Sequence, residues 1–230
     1  MSEGEQKEQA MGAVKKALLG VGGLVVVLAF IGWEATVAIH DRTSGMHDKG
    51  SISTLVDMLA RFVDTGKRAK TAYDKGDFET ARGLYEKMAG HGNDDAMLRA
   101  AVMETQGQGG PVDNVQAVKW FRVLAERGVQ EGQYELGLAY HTGSGVEKDY
   151  AEALRWYQKA ASQGSLSARV NMGVMYLKGH GIPEDRVEAQ KWFILAGEAG
   201  QKNRGVLEAS LTAEETGQAR QRAEAWRPAK

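Results

Sequence analysis

Asp113, Asp149 and Asp185 stand 36 residues apart, and Ala117, Ala153 and Ala189, Trp120, Trp156 and Trp192, and Gly128, Gly164 and Gly200 keep the same interval. A period of a few tens of residues means that one supersecondary unit is repeated. Such a unit cannot bury its apolar face alone, so the copies must stack. Each aspartate is followed three residues later by an amide or acid: Asp113/Gln116, Asp149/Glu152 and Asp185/Glu188. That spacing is the sequence form of a reciprocal helix cap, worth about 1 kcal/mol, and it predicts that a helix starts at each aspartate. Gly128, Gly164 and Gly200 then supply a permissive residue beyond the end of that helix.

The helix before each cap carries a small residue at a fixed distance from the small residue after it. Ala101 to Ala117, Gly137 to Ala153 and Gly173 to Ala189 each span 16 positions, whereas Ala69 to Ala81 spans 12. The short spacing belongs to residues 71–88, which resemble a tetratricopeptide repeat: a helix, a Lys75-Gly76-Asp77-Phe78 turn and a second helix. The longer copies add glycine-bearing connectors, Gly107-Gln108-Gly109, Gly143-Ser144-Gly145 and Gly179-His180-Gly181. With Leu136-Gly137, Tyr140, Val146, Lys159-Ala160-Ala161 and Gly164, residues 94–200 resemble the Sel-1-like repeat family. The first copy is the least faithful, with Ala100, Glu104 and Gly110 where the next has Leu136, Tyr140 and Val146.

The resemblance implies an all-α, right-handed α-solenoid of helical hairpins that binds other proteins and carries no catalysis of its own. It also implies that the first helix of each unit lines a concave groove. That places Leu98, Val102 and Thr105, then Tyr134, Leu138 and His141, then Val170, Val174 and Leu177 on the protein-binding face. Leu98, Tyr134 and Val170 could equally pack against neighbouring repeats.

Ahead of the repeats, residues 17–33 contain no charge and follow Lys15 and Lys16. Seventeen residues at 1.5 Å each rise about 26 Å, the short end of a membrane span. The expectation is a transmembrane signal-anchor with residues 1–16 cytoplasmic, the repeats in the bacterial periplasm, and Trp33 at the interface. A cleaved secretory signal ending near Thr36-Val37-Ala38 is less favoured, because the apolar run is long and Ile31 and Trp33 crowd its end. Gly20, Gly22 and Gly23 would let a second membrane helix approach. The expected order continues with a linker over 34–50, a leading helix and tetratricopeptide-like unit over 51–93, three repeats over 94–200 and a capping helix over 201–230. Ile52, Leu55, Val56, Leu59, Phe62 and Val63 mark the leading helix, with Gly66 as its expected break, and Thr212 with Glu215 caps the last one.

The 230 residues carry a formal charge of -1, which speaks against nucleic acid as a partner. With no cysteine, thiolate metal sites and cysteine nucleophiles are excluded. His40, His47, His91, His141 and His180 show no ligand spacing, the Gly-x-Gly loops lack the third glycine of a dinucleotide fingerprint, and no cofactor or metal is expected. The partners expected are proteins, either periplasmic or subunits of an inner-membrane complex, and the lipid bilayer. The leading function is an adaptor, the alternative is an accessory subunit of a membrane complex, and an enzyme such as a hydrolase is the least favoured class.

Overall fold

A computed structural model describes residues 26–31, 34–39 and 65–228. The helices are α1 at residues 65–74, α2 Phe78–Gly90, α3 Asp94–Gln106, α4 Asn114–Glu126, α5 Gln130–Thr142, α6 Tyr150–Ser162, α7 Leu166–Lys178, α8 Arg186–Leu195, α9 Gln201–Glu208 and α10 Ala213–Ala225. Every described element from residue 65 onward is helical. The chain divides into two compact units, residues 1–100 and 101–230, with the boundary inside α3.

In the first unit, β1 Val26–Ile31 and β2 Glu34–Ile39 form an antiparallel pair, with Val26 opposite Ile39 and Ile31 opposite Glu34. These strands lie within the segments where the sequence leads one to expect a membrane helix over 17–33 and a linker over 34–50. Val26, Val27, Ile31, Thr36, Val37 and Ile39 are β-branched and fit extended backbone better than helix. Residues 17–25, 32 and 33, including Gly20, Gly22 and Gly23, lie outside the described residues, as does the leading helix over 51–64. Among the described residues no helix is long and apolar enough to cross a membrane.

Helices α1 and α2 form the tetratricopeptide-like hairpin. Gly76 takes φ +79° in the turn, the Asp77 carboxylate accepts the Thr80 N–H, and Ala69 and Ala81 are fully buried. Gly66 does not break α1. It lies within helical backbone, and a methyl group there would make ordinary contact with Met88.

The second unit is built by consecutive helices packing on one another, and α8 also holds α10. Its three long connectors repeat atom for atom. The Asp113, Asp149 and Asp185 N–H groups donate to the Glu104, Tyr140 and Tyr176 carbonyls, each at 3.0 Å. The aspartate carboxylates cap the helices that follow, accepting from Gln116 N at 2.9 Å, Glu152 N at 3.0 Å and Glu188 N at 2.8 Å. The returning half of the capping box forms at Thr212/Glu215. At the aspartates, Glu152 and Glu188 instead pair with Arg155 and Lys191, and Gln116 accepts from Lys119.

Two glycines serve each connector. Gly143 and Gly179 end their helices in the left-handed region, φ +78° and +64°. Gly145 and Gly181 abut the start of the preceding second helix, where a Cβ would lie 2.1 Å from the Asn114 carbonyl oxygen and 2.5 Å from the Tyr150 Cβ. At the far ends, Gly128 and Gly164 have the expected positive φ. Gly200 does not: α8 stops at Leu195 and Gly197 supplies φ +59°, while Gly200 is needed because a Cβ would strike the Phe193 carbonyl oxygen at 2.2 Å.

The crossing residues Ala101, Ala117, Ala153 and Ala189 are fully buried, and Gly137 and Gly173 are buried with them. Close approach there admits a ring: a Cβ would meet the Tyr157 ring at 2.8 Å from Gly137 and the Phe193 ring at 2.4 Å from Gly173. The innermost aromatics are therefore Phe121, Tyr157 and Phe193, one residue after each tryptophan. Trp156 and Trp192 are buried as expected, but Trp120 is only half-buried. Instead of one capping helix over 201–230 there are two: α9 brings Leu207 against Phe193, and α10 leads to Trp226, whose ring meets Trp192 edge to face at 5.7 Å.

Two substitutions test this packing. Gly173→Ala should destabilise the second unit by about 1 to 3 kcal/mol, because the Phe193 ring cannot yield in a packed core, read as a lower denaturant midpoint. Gln190 is 1% exposed and neither amide atom has a partner, whereas its counterpart 36 residues earlier is Leu154. Gln190→Leu should therefore raise stability by about 1 to 3 kcal/mol, seen as a higher midpoint in the same titration.

Candidate functional site

Helices α5 and α7 are the first helices of consecutive units, and each divides its residues by depth. Leu136 and Ala139 on α5, and Met172 and Met175 on α7, are buried. Tyr134, Leu138, Val170, Val174 and Leu177 are half-buried: the first two rest on the Tyr157–Met172 core and the other three on the Phe193–Leu207 core. They therefore pack on neighbouring repeats and still present surface. Val102 is half-buried on α3, while Thr105 is exposed with its hydroxyl donating to the Val102 carbonyl at 2.8 Å. Leu98, in the first unit, is half-buried.

The repeat register is held from beneath by side chains that reach back to a helix end. Gln133 donates to the Ala125 carbonyl at 3.4 Å, and its counterpart Arg169 donates to the Ala161 carbonyl at 3.1 Å and to the Leu195 carbonyl at 2.8 Å. These contacts fix α5 and α7 against the second helices on either side.

Polar groups gather at one end of this face. His141 and His180 meet with Nε2 and Nδ1 3.4 Å apart. Tyr150 stacks on His180 with centroids 4.7 Å apart and 18° between planes, and His141 meets Tyr150 edge to face at 5.5 Å. The Tyr157 hydroxyl accepts from Asn171 Nδ2 at 3.1 Å and faces His141 Nδ1 at 3.5 Å. Asn171 and Ser167 also hydrogen-bond the Tyr134 hydroxyl. A hydrogen-bonded run therefore connects Asn171, Tyr157, His141 and His180, and the direction of its last two links follows the histidine tautomers.

Burial lowers the His141 pKa below its usual 6.5, and His180, Lys148 and Lys178 lower it further by repulsion. Glu135, two turns back on α5, is raised by burial, and burial also raises the hydroxyls of Tyr134 and Tyr157.

His141 and His180 show no ligand spacing in the sequence, yet they meet at this junction. They are 39 residues apart, one period plus three, which carries the second residue into the connector beside the first. His91 stays alone at the end of α2, with Nδ1 2.6 Å from the Lys87 carbonyl, and His40 and His47 lie outside the described residues. Among the described residues no three His, Asp or Glu side chains group to hold a metal.

The sequence profile of the Sel1 repeat matches residues 94–129, 130–165 and 166–201. The chain carries three Sel1 repeats. A crystal structure of c5321, a protective antigen of uropathogenic Escherichia coli strains displaying an SLR fold, is similar with TM-score 0.59 and 34% identity. That match covers 64% of this chain but only 32% of the antigen, so this chain spans about a third of its length. A Sel1 repeat protein from Oxalobacter formigenes matches with TM-score 0.59 and 27% identity over 70% of this chain and 73% of that one. A comparison with curated protein sequences finds no match. Sel1 repeats generally mediate protein–protein interaction.

The depressed His141 pKa has a defined sign. The folded state favours the neutral ring, so its contribution is complete above the ordinary value of 6.5 and is lost as pH falls through the folded value. Urea midpoints should fall between pH 7.5 and about 5, and His141→Asn should flatten that slope. Tyr157→Phe should cost about 0.5 to 1.5 kcal/mol by removing the acceptor of the Asn171 amide, read in the same titration.

Proposed function

We propose that this protein is a non-catalytic adaptor that captures a protein partner on the first-helix face of its Sel1 repeats while tethered to a bacterial inner membrane. The observation that carries the binding role is the strip formed by Tyr134, Leu138, Val170, Val174 and Leu177, apolar and half-buried over a rigid stack. A helix or an apolar peptide segment can add to such a strip without reorganising it.

Support for the tether comes from the charge-free run over 17–33 and from Lys15 and Lys16 before it. A lone two-stranded hairpin is marginal in water. Its open edges are also unsustainable in hydrocarbon, where a helix alone would satisfy the backbone of this run. Insertion as a helix would leave the amino terminus cytoplasmic and the repeats periplasmic.

Capture of a partner and the membrane tether are tested separately. Affinity purification from bacterial membranes with a carboxy-terminal tag should bring down a protein partner, and Leu138→Glu/Val174→Glu should reduce its recovery about tenfold or more. An exported-only reporter fused after residue 230 should be active, and deleting residues 17–33 should release the protein from membranes. Replacing residues 17–33 with an unrelated membrane helix should leave capture intact for an adaptor, whereas loss of capture identifies an accessory subunit that uses the membrane segment itself.

A further inference from the structure

Scaffold positions in this chain repeat from copy to copy, and one junction departs from the pattern at several positions at once. The pair His141/His180 corresponds to Thr105/Ser144 one repeat earlier. Tyr157 stands where the other copies have Phe121 and Phe193, so only this copy brings a hydroxyl into the core. Tyr150 stands where the others have Asn114 and Arg186. These departures converge: Tyr157 faces His141, His141 faces His180, and His180 stacks on Tyr150.

Two ammonium groups join them. Lys148, in the connector between α5 and α6, places Nζ 5.8 Å from the centre of the Tyr150 ring. Lys178 ends α7, two residues before His180. Both lysines are exposed and both act on His141 as like charges. The acids nearest in the chain are Glu147 and Asp149 on either side of Lys148, Glu184 and Asp185 in the connector after His180, and Glu135 six residues back on α5. The Asp149 carboxylate accepts the Ala151 and Glu152 N–H groups, the Asp185 carboxylate accepts the Glu188 N–H, Glu147 and Glu184 are exposed, and the charges that act on His141 are those of His180 and the two lysines.

We propose that His141, His180, Lys148 and Lys178 form an anion-binding end to the apolar strip, which takes the side-chain carboxylates of an acidic segment in the protein partner. This rests on the adaptor reading for the source of the carboxylates. Only one proton fits between the facing imidazole nitrogens, so a neutral pair keeps one N–H at an outer ring nitrogen, and a protonated pair carries an N–H at both outer nitrogens and a positive charge. Lys148 from one connector and Lys178 from the end of α7 serve the pair, so more than one carboxylate is accommodated. The partner carries acidic residues beside apolar ones.

The probe is the triglutamate peptide, titrated into the full chain in detergent at low ionic strength, with triglutamine as control. Binding is read by calorimetry and by the imidazole resonances of His141 and His180. Triglutamate should bind at pH 6 and triglutamine should not; the Lys148→Ala/Lys178→Ala variant should lose about tenfold in affinity, and saturation should raise the His141 pKa. Equal affinity in the lysine variant, or no triglutamate binding, overturns the proposal. A membrane partner captured equally by wild type and the lysine variant also overturns it and leaves the adaptor reading standing. Capture of no partner sinks the adaptor reading, and the triglutamate titration then decides the anion site alone.

Discussion

The stack depends on how closely the two helices of each repeat can cross. At Gly137 and Gly173 the absence of a Cβ lets an aromatic ring from the second helix lie against the first helix's backbone. The facing Ala153 and Ala189 are fully buried, so neither side of the crossing has room for more. Burying a ring of that size contributes several kcal/mol, far more than any one cap or ion pair on these helices. Everything outside the crossing is arranged so that this contact can form. The connectors need their second glycine because they fold flat against the preceding helix start, and Gln133 and Arg169 anchor the helix ends at the register the rings require.

The polar groups follow from that packing. Tyr157 occupies the ring position, and its hydroxyl emerges where α5 and α7 come together, so it must find partners or remain buried without them. Asn171 and His141 provide them. At Trp156 and Trp192 the indole N–H is buried without an acceptor, whereas the half-buried Trp120 donates to Glu104 at 3.3 Å. Cations lie over the Trp156 and Trp192 rings instead, with Lys159 4.1 Å from the Trp156 centre and Lys191 4.5 Å from that of Trp192.

What the sequence discloses here divides by whether a feature repeats. The caps at Asp113, Asp149 and Asp185, the small crossing residues and the connectors are legible because three copies show the same residue types in register. The end of α8 is not, because Gly200 keeps the periodic position while Gly197 takes the left-handed turn. Residues 26–31 and 34–39 are ambiguous for another reason. An apolar run carries no period, and its β-branched content supports strand and membrane helix alike. The ring position one residue past each tryptophan also escapes a periodic reading, since Trp and its neighbour recur together and only three-dimensional packing shows which one is innermost.

The candidate site is hidden from the period because it is built from exceptions to it. A search for recurring residues discards His141 and His180, since neither has a histidine counterpart in another copy. A search for ligand spacing within one helix discards them again, since 39 residues separate them. In a stack, however, neighbours across a junction are one period apart plus or minus a turn, so that offset is the one at which first-helix and connector residues of adjacent repeats touch. Applied to each junction, the same offset pairs Thr105 with Ser144 and His141 with His180, and only the second pair can carry charge. Specificity on a repeated scaffold has to arise in this way: identical junctions would bind a partner in several registers, and a single charged junction fixes one.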